Sequence, residues 1–186
     1  MTAGHHDHGG GASLADLSKE PKVLGKLFDE VPESHVARRI KQTKVVRGVY
    51  DVPYLSGPST DGKTVYIDKR VPARLEIKTK DGKHRSVDVA PFLLVHEITE
   101  RILLDLKHPY LPSHHVATRR EREAVDAAGL DWRDYEDVMD GYVRESEHES
   151  VKRVPPDLDL RPYAAFGAAA ALRKKQNAEW GEEKST

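Results

Sequence analysis

The sequence predicts an α+β fold in which a small antiparallel sheet is followed by a helical half. The stretch from Lys44 to Val89 is rich in β-branched and aromatic residues and is punctuated by Pro and Gly, as strands and turns are. After Pro91, apolar residues recur at helical spacing through three successive segments. This order of elements, without an internal repeat, is typical of an α+β chain.

The length of 186 residues fits one domain with tails. Residues 1–13 are rich in His and Gly and are predicted to be a disordered tail. Residues 14–163 are predicted to form a single α+β domain, and residues 164–186 an Ala-rich C-terminal helix with a loose end. Within the domain, Leu14 to Phe28 has helical periodicity that Pro21 interrupts.

The segment "RLEIKTKDGKHRSVDV" is predicted to be a hairpin whose loop length can be derived. A two-residue loop at Asp81-Gly82 would put the apolar residues of the two strands on opposite faces. A three-residue loop, residues 80–82, with Gly82 in the left-handed conformation, pairs Leu75 with Val87 and gives both strands one apolar face. We prefer the second register.

Three helices are predicted in the second half. The first covers roughly residues 91–106, and the second covers roughly residues 113–128 and ends before Gly129, a suitable residue for a helix C-terminus. Asp131 can cap a third helix that reaches about Val151. The following "VPPDLDLRPY" is predicted to be an extended arm because its prolines disfavour helix.

Composition argues against several classes of function. The net charge of −1 gives no global reason to expect nucleic acid or an anionic membrane as a partner. No segment approaches the roughly 18 apolar residues that span a bilayer, and no secretory leader is expected at the N-terminus. Without cysteine, any metal must be held by nitrogen and oxygen, for which ten histidines are present, and a cytoplasmic location is the default expectation.

The first helix carries an unusual polar group within an apolar stretch, "PFLLVHEITERILLDL". On a helical wheel His96 and Glu100 lie one turn apart on one line, and Glu97 lies on the flank. Unpaired carboxylates beside Leu93 and Leu104 would be costly to bury. A metal ion or a cationic partner would remove that cost.

The second helix repeats the anomaly, because His114 and Glu121 share a face of small and apolar residues. Two helices that each turn a His and a Glu inward form a recurring type of metal site. We therefore predict a metal site whose three ligands are His96, Glu100 and His114. Glu97 is the predicted general base, and Glu121 is either a fourth ligand or an orienting residue. Zinc is the expected ion. Manganese and iron are alternatives, because the Glu100 carboxylate adds a negatively charged oxygen ligand that makes the site harder.

A purely structural interpretation is the alternative. His96 and Glu100 would then be an ordinary hydrogen-bonded pair one turn apart, and Glu97 would be solvated on the flank of the helix. His114 and Glu121 of the second helix would pair with Arg101 or Arg120. In this case the polar cluster would only hold helices together.

The first helix resembles the active-site helix of the zincin metallopeptidases, in which His-Glu-x-x-His supplies two zinc ligands and a general base. His96 and Glu97 match that pattern, whereas Glu100 stands in place of the second His. A carboxylate is an acceptable zinc ligand. The resemblance implies a peptidase-type hydrolase that acts on a peptide or protein.

A wider set of motifs, "VYIDKRVP", "HEITE", "HHVAT" and "RVPPDLDLRPY", resembles an uncharacterised group of phage and prophage proteins over about residues 64–163. His114 and Glu121 match the second helical motif of that group. This resemblance supports the site, implies no reaction, and adds the virion to the expected locations. It leaves open a non-catalytic structural or interaction protein whose His/Glu cluster clamps helices.

Overall fold

The computed structural model describes residues 21–148, 151–164, 167–169 and 171–176. The predicted N-terminal tail and residues 177–186 of the predicted C-terminal segment lie outside the described residues. Residues 171–176, within the predicted Ala-rich helix, are helical.

In the described part of the chain two helices come first, five strands follow, and the remaining elements are helical. Their bounds, in chain order, are α1 Pro21–Glu30, α2 Glu33–Ile40, β1 Lys44–Arg47, β2 Ser56–Pro58, β3 Thr64–Ile67, β4 Leu75–Lys78, β5 His84–Val87, α3 Ala90–Asp105, α4 Tyr110–Ala127, α5 Trp132–His148 and α6 Arg161–Ala164. The helical half follows the strands, so the predicted α+β class is confirmed. No helix in the described part of the chain combines the length and the apolar character needed to cross a bilayer.

The strands form two small sheets rather than one. β1, β3 and β2 make a three-stranded sheet in that order, and β4 pairs with β5. β2 is antiparallel to β3 as expected, whereas β1 is parallel to it, because the connection at residues 48–55 takes the chain from one side of β3 to the other. Side chains alternate between the two faces of a strand in parallel and antiparallel sheets alike. The direction of β1 could therefore not be predicted from the sequence pattern.

The β4–β5 hairpin has the register that its apolar pattern predicts. Leu75 faces Val87 and Lys78 faces His84. The Thr79 backbone N–H donates to the Lys83 carbonyl at 2.7 Å, which leaves residues 80–82 as a three-residue loop. Gly82 in that loop has a φ of 85°, the left-handed region that a side chain disfavours. The three-residue alternative is therefore confirmed.

Helix α3 lies at the centre of the molecule and is covered on several sides. Phe92 and Leu93 join a core cluster with the hairpin and α5. Ile98 and Leu103, which are fully buried, join a second cluster with α1 and α2. The polar residues of α3 are therefore held against neighbouring elements rather than against bulk water.

The ends of the later helices follow the predicted signals. Gly129, just after α4, has a φ of 76°. The Asp131 carboxylate accepts a hydrogen bond from the backbone N–H of Asp134 at 3.0 Å, which caps the first turn of α5. Both predicted helix boundaries are confirmed.

Residues 151–160 contain no helix and are bound to β2 and α3, so the predicted arm is correct as far as Leu160. Its last three residues were wrongly predicted as extended and lie in α6, because a proline is tolerated in the first turn of a helix. The Asp159 backbone N–H donates to the Pro58 carbonyl at 2.8 Å. The Arg101 guanidinium binds the Asp159 carboxylate at 3.2 Å and donates to the carbonyls of Ser59 and Thr60, both at 2.7 Å. Arg101 thus attaches the arm to α3 and brings α6 to one side of the site described next.

Candidate metal centre

Helices α3 and α4 bring together three of the side chains predicted as metal ligands. His96 Nε2 lies 3.7 Å from Glu100 Oε2 and 3.2 Å from His114 Nδ1. His114 Nδ1 lies 2.9 Å from the same Glu100 oxygen. The three atoms form a compact triangle between the helices.

The size of this triangle fits a small metal ion. Nitrogen and oxygen ligands about 2.1 Å from a tetrahedral ion lie about 3.4 Å apart, and the three observed distances are grouped around that value. His96, Glu100 and His114 could therefore hold a metal ion. Two imidazoles and a carboxylate suit zinc, and they also suit iron and manganese.

The local sequence explains why the triangle forms. His96 and Glu100 are one turn apart on α3, so they lie one above the other. The connection to α4 is only residues 106–109, which makes the two helices neighbours that run in opposite directions. Ala117 on α4 is fully buried, and its small side chain lets the helices approach closely.

Glu121 lies behind His96 rather than in the triangle. Its Oε2 is 2.8 Å from His96 Nδ1, and its Oε1 accepts a hydrogen bond from the Tyr135 hydroxyl at 2.6 Å. A carboxylate in this position keeps the proton on Nδ1 and leaves the Nε2 lone pair facing the triangle. Of the two roles predicted for Glu121, its geometry corresponds to the orienting one.

Glu97 is buried on the flank of α3, with 7% of its surface exposed. The Ser56 hydroxyl, from β2, donates a hydrogen bond to Glu97 Oε1 at 2.6 Å. Burial raises the pKa of the Glu97 carboxyl to about 7. The predicted flank position is thus correct, whereas the solvated flank of the structural interpretation is not what the structure has.

The charges of the cluster are balanced by its histidines. Burial by itself lowers the pKa of His96, but its hydrogen bonds to Glu100 and Glu121 outweigh burial and raise that pKa well above its ordinary value. Burial acts to raise the pKa of Glu100, yet hydrogen bonds from His114 and His96 lower it to about 2. The cluster therefore favours a positive charge at its centre, which is what a cation supplies.

The arginines named in the structural interpretation are bound elsewhere. Arg101 is attached to the arm, and Arg120 donates to the carbonyls of Phe28 and Val31 at 3.2 and 2.9 Å. Within the described part of the chain, the ion pairs of Glu100 and Glu121 are with histidines alone. No arginine of the described residues neutralises the cluster, and this weakens the structural interpretation.

The cluster is open on one side. The His114 side chain is 40% exposed. A pocket of about 260 Å³ meets His96, Glu97 and His114, and a smaller one of about 40 Å³ reaches the same three residues and Tyr110. Three protein ligands beside an open cleft are the arrangement of catalytic rather than structural zinc sites.

The backbone entering β2 is strained beside the site. Tyr54 and Leu55 have φ values of 58° and 75°, which are rare for residues other than glycine. Tyr54 lines both pockets, and its ring stacks on that of Tyr163 at 5.9 Å. Strain of this kind costs about 1–3 kcal/mol per residue and is concentrated at functional sites.

The sequence patterns did not indicate Ser56, Tyr135 or the strained residues before β2. Ser56 is 41 positions from Glu97, and Tyr135 lies on a different helix from Glu121. The available signal was the Ser-Gly pair after two large residues, Tyr54 and Leu55, which is too common to single out.

Comparisons of this chain with protein-family models, with curated proteins and with solved structures found no match. The class of site is therefore defined by geometry: a two-helix His–Glu–His cluster that could hold a metal ion. The resemblances to zincins and to phage proteins stay predictions.

Proposed function

We propose that the protein is a metal-dependent hydrolase of the peptidase type. His96, Glu100 and His114 are the ligands, and Glu97 is the general base. One observation carries the proposal: the three ligand atoms converge beside an open cleft, and the buried Glu97 carboxylate borders the same cleft.

The residues around the cluster have different roles in such a reaction. A bound divalent ion would polarise the carbonyl of the substrate as a Lewis acid. Glu97 accepts the proton of the attacking water. Ser56 donates a hydrogen bond to its Oε1, which leaves Oε2 for this task. The chain from Tyr135 through Glu121 to His96 keeps the imidazole in the required tautomer.

A non-catalytic helix clamp is the competing function. Saturation by four protein ligands would favour it. Glu121 is the candidate for a fourth ligand, but His96 engages one of its oxygens and Tyr135 the other. This favours three ligands and an open position. A phage or prophage role and a cytoplasmic location remain predictions that these contacts do not address.

The proposal predicts a chelator-sensitive activity. Purified without an affinity tag, the protein should contain one metal ion per chain by elemental analysis and should cleave members of a quenched-fluorescent peptide library. A chelator should abolish cleavage, and zinc, manganese or ferrous iron should restore it. Zinc at about 100 times its dissociation constant adds about 2.7 kcal/mol of stability, which corresponds to a rise in Tm of roughly 5–10 °C.

The outcomes separate the two functions. Absence of stoichiometric metal, together with an unchanged Tm on adding zinc or manganese, would contradict the metal centre itself. Stoichiometric metal without any cleavage would contradict the hydrolase and favour the clamp.

A further inference from the structure

The larger pocket beside the cluster is placed to bind the part of a substrate next to its reacting group. It has a volume of about 260 Å³ and lies between α3, α4 and α5. His96, Glu97 and His114 line it, and so do six residues of α5. A substrate that reacts at the cluster therefore extends a neighbouring group into this pocket.

The floor of the pocket is apolar and partly aromatic. Leu93, Trp132, Tyr135, Met139 and Val143 contribute to it. The rings of Trp132 and Tyr135 have centroids 5.5 Å apart. An apolar cavity of about 150 Å³ is enough to bind benzene. The pocket thus has room for an aromatic side chain and several further atoms.

The rim of the pocket carries negative charge. Glu136 and Asp140 lie one turn apart on α5, line the pocket and are exposed. Among the described residues, neither has an ion pair or a hydrogen bond through its side chain. The described residues that line the pocket include no Lys or Arg. Since the whole chain has a net charge of only −1, this excess of negative charge is local and does not reflect the overall composition.

We propose that the pocket selects substrates in which an aromatic or large apolar side chain is accompanied by a positively charged group. A peptide with an aromatic residue next to lysine or arginine has this chemistry. Glu136 and Asp140 are the residues that determine the preference for positive charge, and the apolar floor determines the preference for the ring. The inference rests on the proposed function for the reaction, but the binding step can be tested without it.

Three small probes isolate the effect of charge. 3-Phenylpropylamine, 3-phenylpropanol and 3-phenylpropionate share a ring and a chain and differ in charge. Titrated into the metal-free full-length protein and followed by NMR, the amine should bind roughly three- to tenfold more tightly than the alcohol, and the carboxylate most weakly. High salt should reduce the difference, because exposed charges are screened.

Paired variants assign the preference to the two acids. Glu136→Gln with Asp140→Asn should make the three probes bind almost equally. Asp137→Asn with Glu145→Gln removes the same charge from exposed positions of α5 outside the pocket, and this control should keep the order.

Equal affinities for the three probes in the unaltered protein would overturn the proposal. An order of affinities that survives in the Glu136/Asp140 variant, or shifts confined to residues outside the pocket, would also overturn it. Because the titration uses metal-free protein and requires no turnover, a failed metal centre and a failed binding preference give different results.

Discussion

Replacing His96 with alanine should abolish stoichiometric metal binding. His96 supplies Nε2 to the ligand triangle and is the side chain that Glu121 holds in place. Its removal leaves two ligands, Glu100 and His114, which is below the three that metal sites with an open position use. We expect the affinity for zinc to fall by more than about 100-fold, beyond the effect of losing an orienting residue. Isothermal titration calorimetry with zinc measures this affinity.

This measurement needs a background without the tail histidines. His5, His6 and His8 are therefore changed to alanine in all proteins compared. His115→Ala is the matched control, because His115 is the exposed neighbour of a ligand. The control should bind zinc as the parent does. Undiminished zinc affinity in the folded His96→Ala protein would contradict the assignment of His96.

Glu121→Gln should lower the affinity for zinc by an intermediate amount. The amide retains the size of the side chain but loses the charge that orients His96. An affinity about 10–100-fold below that of the parent is expected, between the control and His96→Ala. This grading distinguishes an orienting residue from a ligand.

Replacing Glu97 with glutamine should remove catalysis and leave the metal in place. The Glu97 carboxylate is not part of the triangle, and a glutamine can still accept the hydrogen bond from Ser56. Loss of a general base costs about 10²–10⁴-fold in rate. We therefore expect kcat on a cleaved peptide to fall at least 100-fold while elemental analysis still finds one ion per chain.

The matched control for this change is Glu123→Gln, an exposed carboxylate on α4 whose loss should not alter kcat. A Glu97→Gln protein with the parent's kcat and metal content would show that Glu97 is not the base. A protein that loses its metal instead would make Glu97 part of the ligand set.

The parts of the fold that were predictable depend on local spacing. The β4–β5 register followed from matching apolar faces, and the C-terminal end of α4 and the start of α5 followed from Gly129 and Asp131. The start of α4 was predicted about three residues too late, because Tyr110 to Ser113 are helical. The convergence of His96, Glu100 and His114 was also predictable from local spacing. His96 and Glu100 are one helical turn apart, and a short connection brings the helix of His114 alongside.

The remaining features depend on contacts between elements distant in the chain. A helical wheel places Glu97 on the flank of α3, but it does not show that β2 covers that flank with Ser56. Similarly, the orienting role of Glu121 requires Tyr135 from α5. The left-handed backbone of Tyr54 is imposed by its surroundings and not by its residue type.

Anomalous X-ray diffraction at the zinc absorption edge, from crystals grown with zinc, tests directly whether the cluster binds a metal. We expect a single strong peak per chain within about 2.0–2.2 Å of His96 Nε2, His114 Nδ1 and a Glu100 carboxylate oxygen. A zinc-soaked crystal with no peak between α3 and α4, or with its peak at other residues, would contradict it.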